Sequence, residues 1–275
     1  VGGMENVMYA LATGLAARNH EVHVQGDRAF DGAAENFSFS YNGGFKTFRA
    51  WRKRRFLKRI LRPQTGPLVI CDSWKSVSAV PDMTRSGGRL AVLAHGQEYL
   101  KTGRRAERIA RALTRTDIFI ANSEDTLARA SRFLREGPIS RYVIPPTYAL
   151  PPDAPPITAP ENSGHVPLKL FSLCRLEPRK GLAQTIMALA KMKTALPDFN
   201  WQIAGAGPET ENLRTIITTH GLEAQVFLTG QVDQETKTRL LSEADLFIMP
   251  SYLLGNSLEG FGISYIEAAR FGVPA

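Results

Sequence analysis

The sequence predicts an α/β protein with two domains, each built on a parallel sheet. In both halves, short apolar runs typical of buried strands alternate with helix-forming segments, the pattern of a parallel sheet covered by helices. Prolines then concentrate between residues 145 and 167, where neither a helix nor a central strand can form. We expect this segment to be a semi-rigid linker, with domains over residues 1–160 and 161–275.

The first half begins with an amphipathic helix over residues 4–18, and a short strand follows at residues 21–24. Two further helices are predicted over residues 104–116 and 123–135, the second of which Ser123 caps. Three apolar runs predict buried strands, at residues 68–71, 90–94 and 118–121.

The second half repeats this pattern. Strands are predicted at residues 169–173, 201–204, 226–228 and 246–249. Helices are predicted at residues 182–196, 209–220 and 234–243 and after Gly262. Ligands of such sheets bind outside the carboxyl ends of the strands, and each motif described below directly follows a strand or opens a helix.

The charge of the chain is concentrated in one segment. The formal net charge is +8, and residues 49–62 contain eight basic residues and no acidic one. By count, residues 1–160 carry a net charge of +10 and residues 161–275 a net charge of −2. No apolar run reaches the length of a membrane span, no signal-peptide pattern opens the chain, and the two cysteines have no metal or redox spacing, so we expect a cytoplasmic protein.

The basic segment interleaves its cations with apolar side chains. At helical spacing, Phe56, Leu57, Ile60 and Leu61 form a stripe flanked by positive charge, which suits an anionic membrane surface. The predicted membrane or acceptor patch consists of Arg52, Lys53, Arg54, Arg55, Lys58 and Arg59. The alternative is a solvated basic helix whose stripe packs on its own domain. A nucleic-acid partner is not expected, because there is one patch and no recognisable reader module.

The most informative segment contains two carboxylates, Glu259 and Glu267, eight residues apart. Gly260 and Gly262 lie where a buried strand is predicted to give way to a helix, so that free N–H groups and the helix dipole form a site for phosphate. At about 100° per residue, eight steps return to within roughly 80° of the start, so both carboxylates are expected to face one cleft. There they would accept hydrogen bonds from the hydroxyl groups of a sugar nucleotide. The alternative is a capping Glu259 and a solvated Glu267.

Two more loops in the second half carry candidate ligand contacts. Arg175 and Lys180 follow a predicted strand, and two fixed cations there can neutralise a diphosphate and stabilise a departing nucleotide. Gly205, Gly207 and Gly230 follow the next two strands and permit close approach of a base or ribose. The alternative for Arg175 and Lys180 is an ordinary basic loop, and the alternative for Gly205 and Gly207 is a tight turn.

The first half contributes two candidates. Gly3, preceded by Gly2, stands at the start of the first helix, where it can approach a phosphate. His95 follows a buried strand, where it can bind a sugar hydroxyl or phosphate or transfer a proton. A structural hydrogen-bonding role is the alternative for His95.

Taken together, these motifs resemble the family-four retaining glycosyltransferases, which have the GT-B fold of two Rossmann-like domains facing a cleft. The resemblance covers nearly the whole chain, and its most specific part is the paired-glutamate segment from Glu259 to Glu267. It implies transfer of a sugar from a UDP- or GDP-linked donor to a glycan or lipid-linked acceptor, with retention, without metal or other cofactor. Polysaccharide or glycolipid assembly at the inner face of a membrane is the expected setting.

The resemblance also implies roles for individual residues. Arg175 and Lys180 would hold the donor diphosphate, Glu267 the ribose and Glu259 the donor sugar. The remaining residues would line the donor site: Gly3, His95, Gly205, Gly207, Gly230, Gly260, Phe261 and Gly262.

The chain departs from the family pattern at several points. Cys174 stands where the family has glycine, and the family's Pro-Asn-Gly turn is replaced at residues 144–148. The family has a strand before Gly2 and further elements after Pro274, so both ends are expected to be truncated. A non-catalytic fragment that binds nucleotide sugars, or another GT-B enzyme such as a sugar-nucleotide epimerase or a phosphorylase, are the alternative functions.

Overall fold

The computed structural model describes residues 3–27, 36–41, 48–61, 66–146, 167–192 and 194–275. The chain divides into two compact units, Val1–Ala149 and Leu150–Ala275. The predicted boundary at residue 160 lies outside the described residues, as do Gly2, Arg62 and most of the proline-rich segment.

The main sheet of the first unit is parallel, with strand order β3-β4-β5-β6, and β1 and β2 form a separate parallel pair. The apolar run of β4 is almost wholly buried, as expected for a central strand covered on both faces. The elements of this unit are α1 (Gly3–Ala16), β1 (His23–Gly26), β2 (Ser38–Tyr41), α2 (Arg49–Leu61), β3 (Leu68–Cys71), β4 (Arg89–Ala94), α3 (Gly103–Leu113), β5 (Ile118–Ala121), α4 (Glu124–Ala130) and β6 (Ser140–Val143).

The second unit has one parallel four-stranded sheet with strand order β10-β7-β8-β9. Trp201 of its core is fully buried, and its indole N–H donates to the hydroxyl of Ser172 across 2.9 Å. Its elements are β7 (Leu168–Leu173), α5 (Leu182–Lys191), β8 (Phe199–Ala204), α6 (Thr210–Thr219), β9 (Val226–Gly230), α7 (Gln234–Glu243), β10 (Leu246–Phe247) and α8 (Ile263–Arg270).

The strand order of the second unit reverses at β7. The strands β8 and β9 extend the sheet on one side of β7, whereas β10 pairs with its other side, with Leu246 opposite Leu170. The loops that follow β7 and β10 therefore leave the same edge of the sheet, from neighbouring strands. Ligands of open α/β sheets bind at such a switch point.

The α/β fold with parallel sheets is confirmed, and most differences concern the ends of elements. The helix predicted over residues 123–135 ends at Ala130 and gives way to a 3₁₀ turn, although Ser123 does cap it by accepting from the N–H of Thr126 at 3.2 Å. The edge strands β2 and β6 were not predicted, because their alternating polar residues lack an apolar run. Among the described helices, none is both long and apolar enough to cross a membrane.

Candidate functional site

The loop after β7 is held against the segment after β10 by a glycine. Gly181 has a left-handed φ of 73°, and a Cβ atom there would lie 2.3 Å from the carbonyl oxygen of Pro250. The N–H of Tyr252 also donates to the carbonyl of Arg179 across 2.9 Å. Backbone contacts therefore join the two loops that leave the switch point.

A cluster of charges lies where these loops meet. Arg179 Nη1 donates to Glu259 Oε2 across 2.8 Å, and Lys180 Nζ donates to the same oxygen. Lys180 is buried, with 6% of its surface exposed, and its Nζ lies 3.5 Å from the sulfur of Met249. The structure thus brings the predicted Lys180 and Glu259 together and adds Arg179, which was not among the predicted site residues.

Glu259 is ionised at neutral pH. Burial alone would raise its pKa, but the hydrogen bonds and positive charges of Lys180 and Arg179 outweigh burial and hold the pKa below its ordinary value of 4.5. The carboxylate can therefore anchor two cations at this edge of the sheet.

Arg175 is held less firmly than the sequence predicted. Its side chain is 75% exposed, and Nη1 makes an ion pair with Glu177 Oε1 at 3.1 Å. Glu177 also accepts from Arg179 Nε at 3.0 Å. The two fixed cations of this loop are therefore Arg179 and Lys180, because a mostly exposed arginine with one surface ion pair remains mobile.

The paired-glutamate segment differs from the geometry predicted for it. Helix α8 begins after Gly262, as predicted, so Glu259 precedes the helix. A spacing of about 100° per residue therefore does not relate Glu259 to Glu267, and that part of the prediction was wrong. Gly262 has a φ of 85°, and a Cβ atom there would lie 2.5 Å from the ring of Tyr265 and 3.6 Å from Cγ of Glu259. The turn at Gly262 thus brings the start of α8, with its first N–H groups, beside Glu259.

Glu267 is neither solvated nor part of the Glu259 cluster. It lies on α8 with 8% of its surface exposed, and its Oε1 accepts from Lys237 Nζ of α7 at 2.8 Å. Lys237 was missed in the sequence, because nothing in a spacing of 30 residues indicates that two helices bring these side chains together. The buried, ion-paired carboxylate disproves the alternative of a solvated Glu267.

The glycine loop after β8 serves the packing of the cation loop. A Cβ atom on Gly205 would lie 1.8 Å from the carbonyl oxygen of Cys174, and one on Gly207 would lie 2.3 Å from that of Leu176. These two glycines let the loops after β7 and β8 touch through their backbones. Gly230 faces open space instead, and its carbonyl accepts from the N–H of Gly205 at 2.7 Å.

The remaining predicted site residues lie in the first unit or beside Gly262. His95 follows β4, and its Nε2 donates to the carbonyl of Asp72 across 2.8 Å, while Glu98 accepts from its backbone N–H at 2.9 Å. This leaves Nδ1 as the ring nitrogen that can accept a hydrogen bond. Gly3 is the first residue of α1. Gly260 and Phe261 precede Gly262 in the turn before α8, where both are half-buried.

The basic helix α2 packs part of its apolar stripe on its own unit and exposes several of its cations. Leu57 and Leu61 pack against the core of the first unit, as the packing alternative predicted, whereas Trp51 is 59% exposed. Lys53 is tied to Asp27 by an ion pair of 2.7 Å. Four other cations of the predicted patch face solvent: Arg54, Arg55, Lys58 and Arg59.

The cysteines carry no reactive thiolate. Burial raises the pKa of Cys71 to about 12 and that of Cys174 to about 11, so both thiols stay protonated at neutral pH. Within the described parts of the chain, no three His, Cys, Asp or Glu residues form a group that could hold a metal ion.

Two family models match the chain. Residues 1–147 match the model described as Glycosyltransferase Family 4, and residues 156–275 match the model described as Glycosyl transferases group 1.

Several known proteins are similar over part or all of the chain. The putative colanic acid biosynthesis glycosyltransferase WcaL of Escherichia coli K12 is 32% identical over 120 residues, which cover 43% of this chain and 29% of WcaL. The GDP-mannose-dependent alpha-(1-6)-phosphatidylinositol monomannoside mannosyltransferase of Mycolicibacterium smegmatis is 27% identical, and the alignment covers 99% of this chain and 76% of that enzyme.

Solved structures share the fold. Anabaena Alr3699/HepE in complex with UDP aligns with a TM-score of 0.74 and 19% identity, covering 99% of this chain and 76% of that one. The apo form of the lipopolysaccharide outer core galactosyltransferase WaaB aligns with a TM-score of 0.69 and 16% identity, covering 99% and 76%. Both neighbours are GT-B glycosyltransferases, so the two-domain GT-B fold predicted from the sequence is confirmed.

Proposed function

Because this chain belongs to glycosyltransferase family 4, we propose that it transfers a sugar from a nucleotide-sugar donor to a glycan or lipid-linked acceptor. UDP is present in the HepE structure, and the mycolicibacterial relative is named as GDP-mannose-dependent and as acting on a phosphatidylinositol monomannoside. A UDP- or GDP-linked donor agrees with these two proteins, and a role in polysaccharide or glycolipid biosynthesis agrees with the names of WcaL and of the mycolicibacterial enzyme.

The convergence of Arg179, Lys180 and Glu259 at the switch point of the second sheet carries this proposal. A buried lysine beside the first turn of a helix is suited to a diphosphate, since both stabilise negative charge. Arg175 can turn onto a bound diphosphate at the cost of one exposed ion pair, which contributes little stability. Glu267, fixed by Lys237, then accepts hydrogen bonds from the ribose hydroxyls.

The chemical step in this proposal is transfer with retention at the anomeric carbon. The bond from the anomeric carbon to the diphosphate oxygen breaks, and the charge that grows on that oxygen is stabilised by Lys180 and Arg175 in place of a metal ion. The departing phosphate oxygen accepts the proton of the attacking hydroxyl on the same face of the sugar.

Location at a membrane surface is a second part of the proposal. The exposed cations of α2 and the exposed Trp51 form a basic, amphipathic surface suited to anionic lipids. An enzyme held there would meet a lipid-linked acceptor at high local concentration.

A thermal-shift screen with UDP, GDP and ADP sugars, followed by assays of donor hydrolysis and transfer, tests the function. We expect stabilisation by one nucleotide class and turnover of that donor. Lys180→Met should abolish the stabilisation, whereas Lys191→Met, which removes an exposed lysine of α5, should leave it unchanged. Binding without turnover would support the non-catalytic alternative, and no binding to any nucleotide sugar would refute the donor site.

A further inference from the structure

A second cationic site lies in the first unit. A cavity of about 310 Å³, open to the surface, is lined by the largely buried Trp74 and by the exposed Lys75, Arg104, Arg105 and Arg108. This volume corresponds to roughly ten water molecules, which is enough for a phosphate or diphosphate with part of the group that carries it.

The cavity is lined by four cations and by no acidic residue. Among the described residues, none of these four side chains makes an ion pair. The guanidinium of Arg108 lies 5.9 Å from the ring centre of Trp74, whose surface is 6% exposed. Trp74 thus gives the cavity a rigid apolar wall with positive charge around it.

The arrangement is unfavourable for the helix that supplies the arginines. Arg104 and Arg105 stand in the first turn of α3, and that turn contains no acidic residue. Cations at a helix N-terminus are repelled by the positive end of the helix dipole and by each other. An anion bound in the cavity would relieve both repulsions.

The cavity adjoins the sheet edge at which His95 lies. Trp74 and Lys75 belong to the loop that follows β3, and the carbonyl of Asp72 in this loop accepts from His95 Nε2 at 2.8 Å. Since β3 and β4 are neighbouring parallel strands, both loops leave the same edge.

We propose that this cavity binds a phosphate or diphosphate group. Resting on the proposed glycosyl transfer, we assign this group to the acceptor, whose reacting hydroxyl would then lie near His95. The three arginines supply planar, multidentate donors to the oxygens of this group, beside the small exposed part of Trp74.

The test measures the fluorescence of Trp74 in the full chain carrying Trp51→Phe. This substitution removes the exposed tryptophan of α2, and the fully buried Trp201 contributes a constant background. Inorganic pyrophosphate probes a soluble source of the group. Phosphatidylcholine vesicles containing phosphatidic acid probe a lipid source. We expect a saturable change in fluorescence with at least one probe, and the stronger response identifies the source.

Arg104→Gln combined with Arg105→Gln should weaken this binding by about tenfold or more, because two charged donors are lost. Arg111→Gln, which removes an exposed arginine further along the same helix, should leave it unchanged. No response to either probe, or equal responses of the two variants, would overturn the proposal. Thermal stabilisation by nucleotide sugars, measured in parallel, reports on the second unit. If the protein without the arginine substitutions shows no such stabilisation, the proposed function is refuted instead.

Discussion

The guanidinium of Arg179 donates to the carboxylate of Glu259 across 2.8 Å, although 80 residues separate them in the chain. Lys180, the next residue, donates to the same oxygen. One carboxylate therefore holds two neighbouring cations in place at the carboxyl end of β7. A bound diphosphate would meet cations that are already oriented, which reduces the entropy lost on binding.

Replacing Glu259 with Gln should lower the free energy of unfolding by about 1–3 kcal/mol, because two partly buried cations lose their charged acceptor. Glu243→Gln is the matched control, since Glu243 makes only a surface pair with Arg239 at 3.4 Å and its loss should cost less than about 1 kcal/mol. Urea unfolding of the three proteins measures the difference. Equal stabilities of the two variants would show that the Glu259 cluster does not contribute.

The contribution of Glu259 should also depend on pH. Its pKa in the folded protein lies below the ordinary value of 4.5, so its stabilisation is complete above that value and is lost as the pH falls through the lower folded pKa. The stability difference between the native protein and Glu259→Gln should stay constant from neutral pH to about pH 5 and shrink below it. A difference that grew under acid conditions would contradict the assigned ion pairs.

The sequence predicted much of the fold, because apolar strands and amphipathic helices leave local periodic signals. The bounds of β3, β5 and α7 agree with the prediction to the residue. The sequence predicted that Lys180 and Glu259 lie at one edge of the sheet, because motifs after parallel strands meet there, but it did not predict that they pair. Arg179 and Lys237 became recognisable only in the fold, since which basic residue meets which carboxylate depends on loop and helix packing that no local pattern encodes.

Gly205→Ala should damage the cation loop, because its Cβ atom would lie 1.8 Å from the carbonyl oxygen of Cys174. Gly221→Ala is a suitable control. It also has a positive φ, of 61°, but its Cβ atom would meet nothing within 4 Å, so it adds only backbone strain of about 1–2 kcal/mol. We expect Gly205→Ala to lose at least about 2 kcal/mol more than the control and to bind nucleotide sugars more weakly. Thermal unfolding and calorimetry measure these effects, and equal losses would refute the packing role.

Glu267→Ala should weaken binding of the nucleotide sugar by about tenfold or more, since a charged acceptor for two ribose hydroxyls is lost. Glu223→Gln, which removes an exposed carboxylate from the same unit, should not change the affinity. Calorimetric titration with the donor found in the thermal-shift screen provides the measurement. If a folded Glu267→Ala variant keeps its affinity for the nucleotide sugar, Glu267 does not bind the ribose and serves only its ion pair with Lys237.

The basic helix α2 yields a prediction about membranes. Replacing Arg54, Arg55, Lys58 and Arg59 with Gln removes four exposed charges while leaving Lys53 paired with Asp27 and Leu57 and Leu61 packed on the core. Each basic residue near an anionic surface contributes about 1 kcal/mol, so binding to anionic liposomes should weaken by roughly a thousandfold at physiological salt.

The control for this variant removes four exposed cations elsewhere: Arg111, Arg135, Arg141 and Lys191. If the attraction came only from net charge, the two variants would lose binding equally in a liposome sedimentation assay. If Trp51 inserts into the lipid surface, the α2 variant loses binding far more strongly, and Trp51 of the native protein shifts its fluorescence to shorter wavelength on binding. A native protein that does not sediment with anionic liposomes would refute the membrane role. Among the described helices, only α2 combines exposed cations with an exposed aromatic ring.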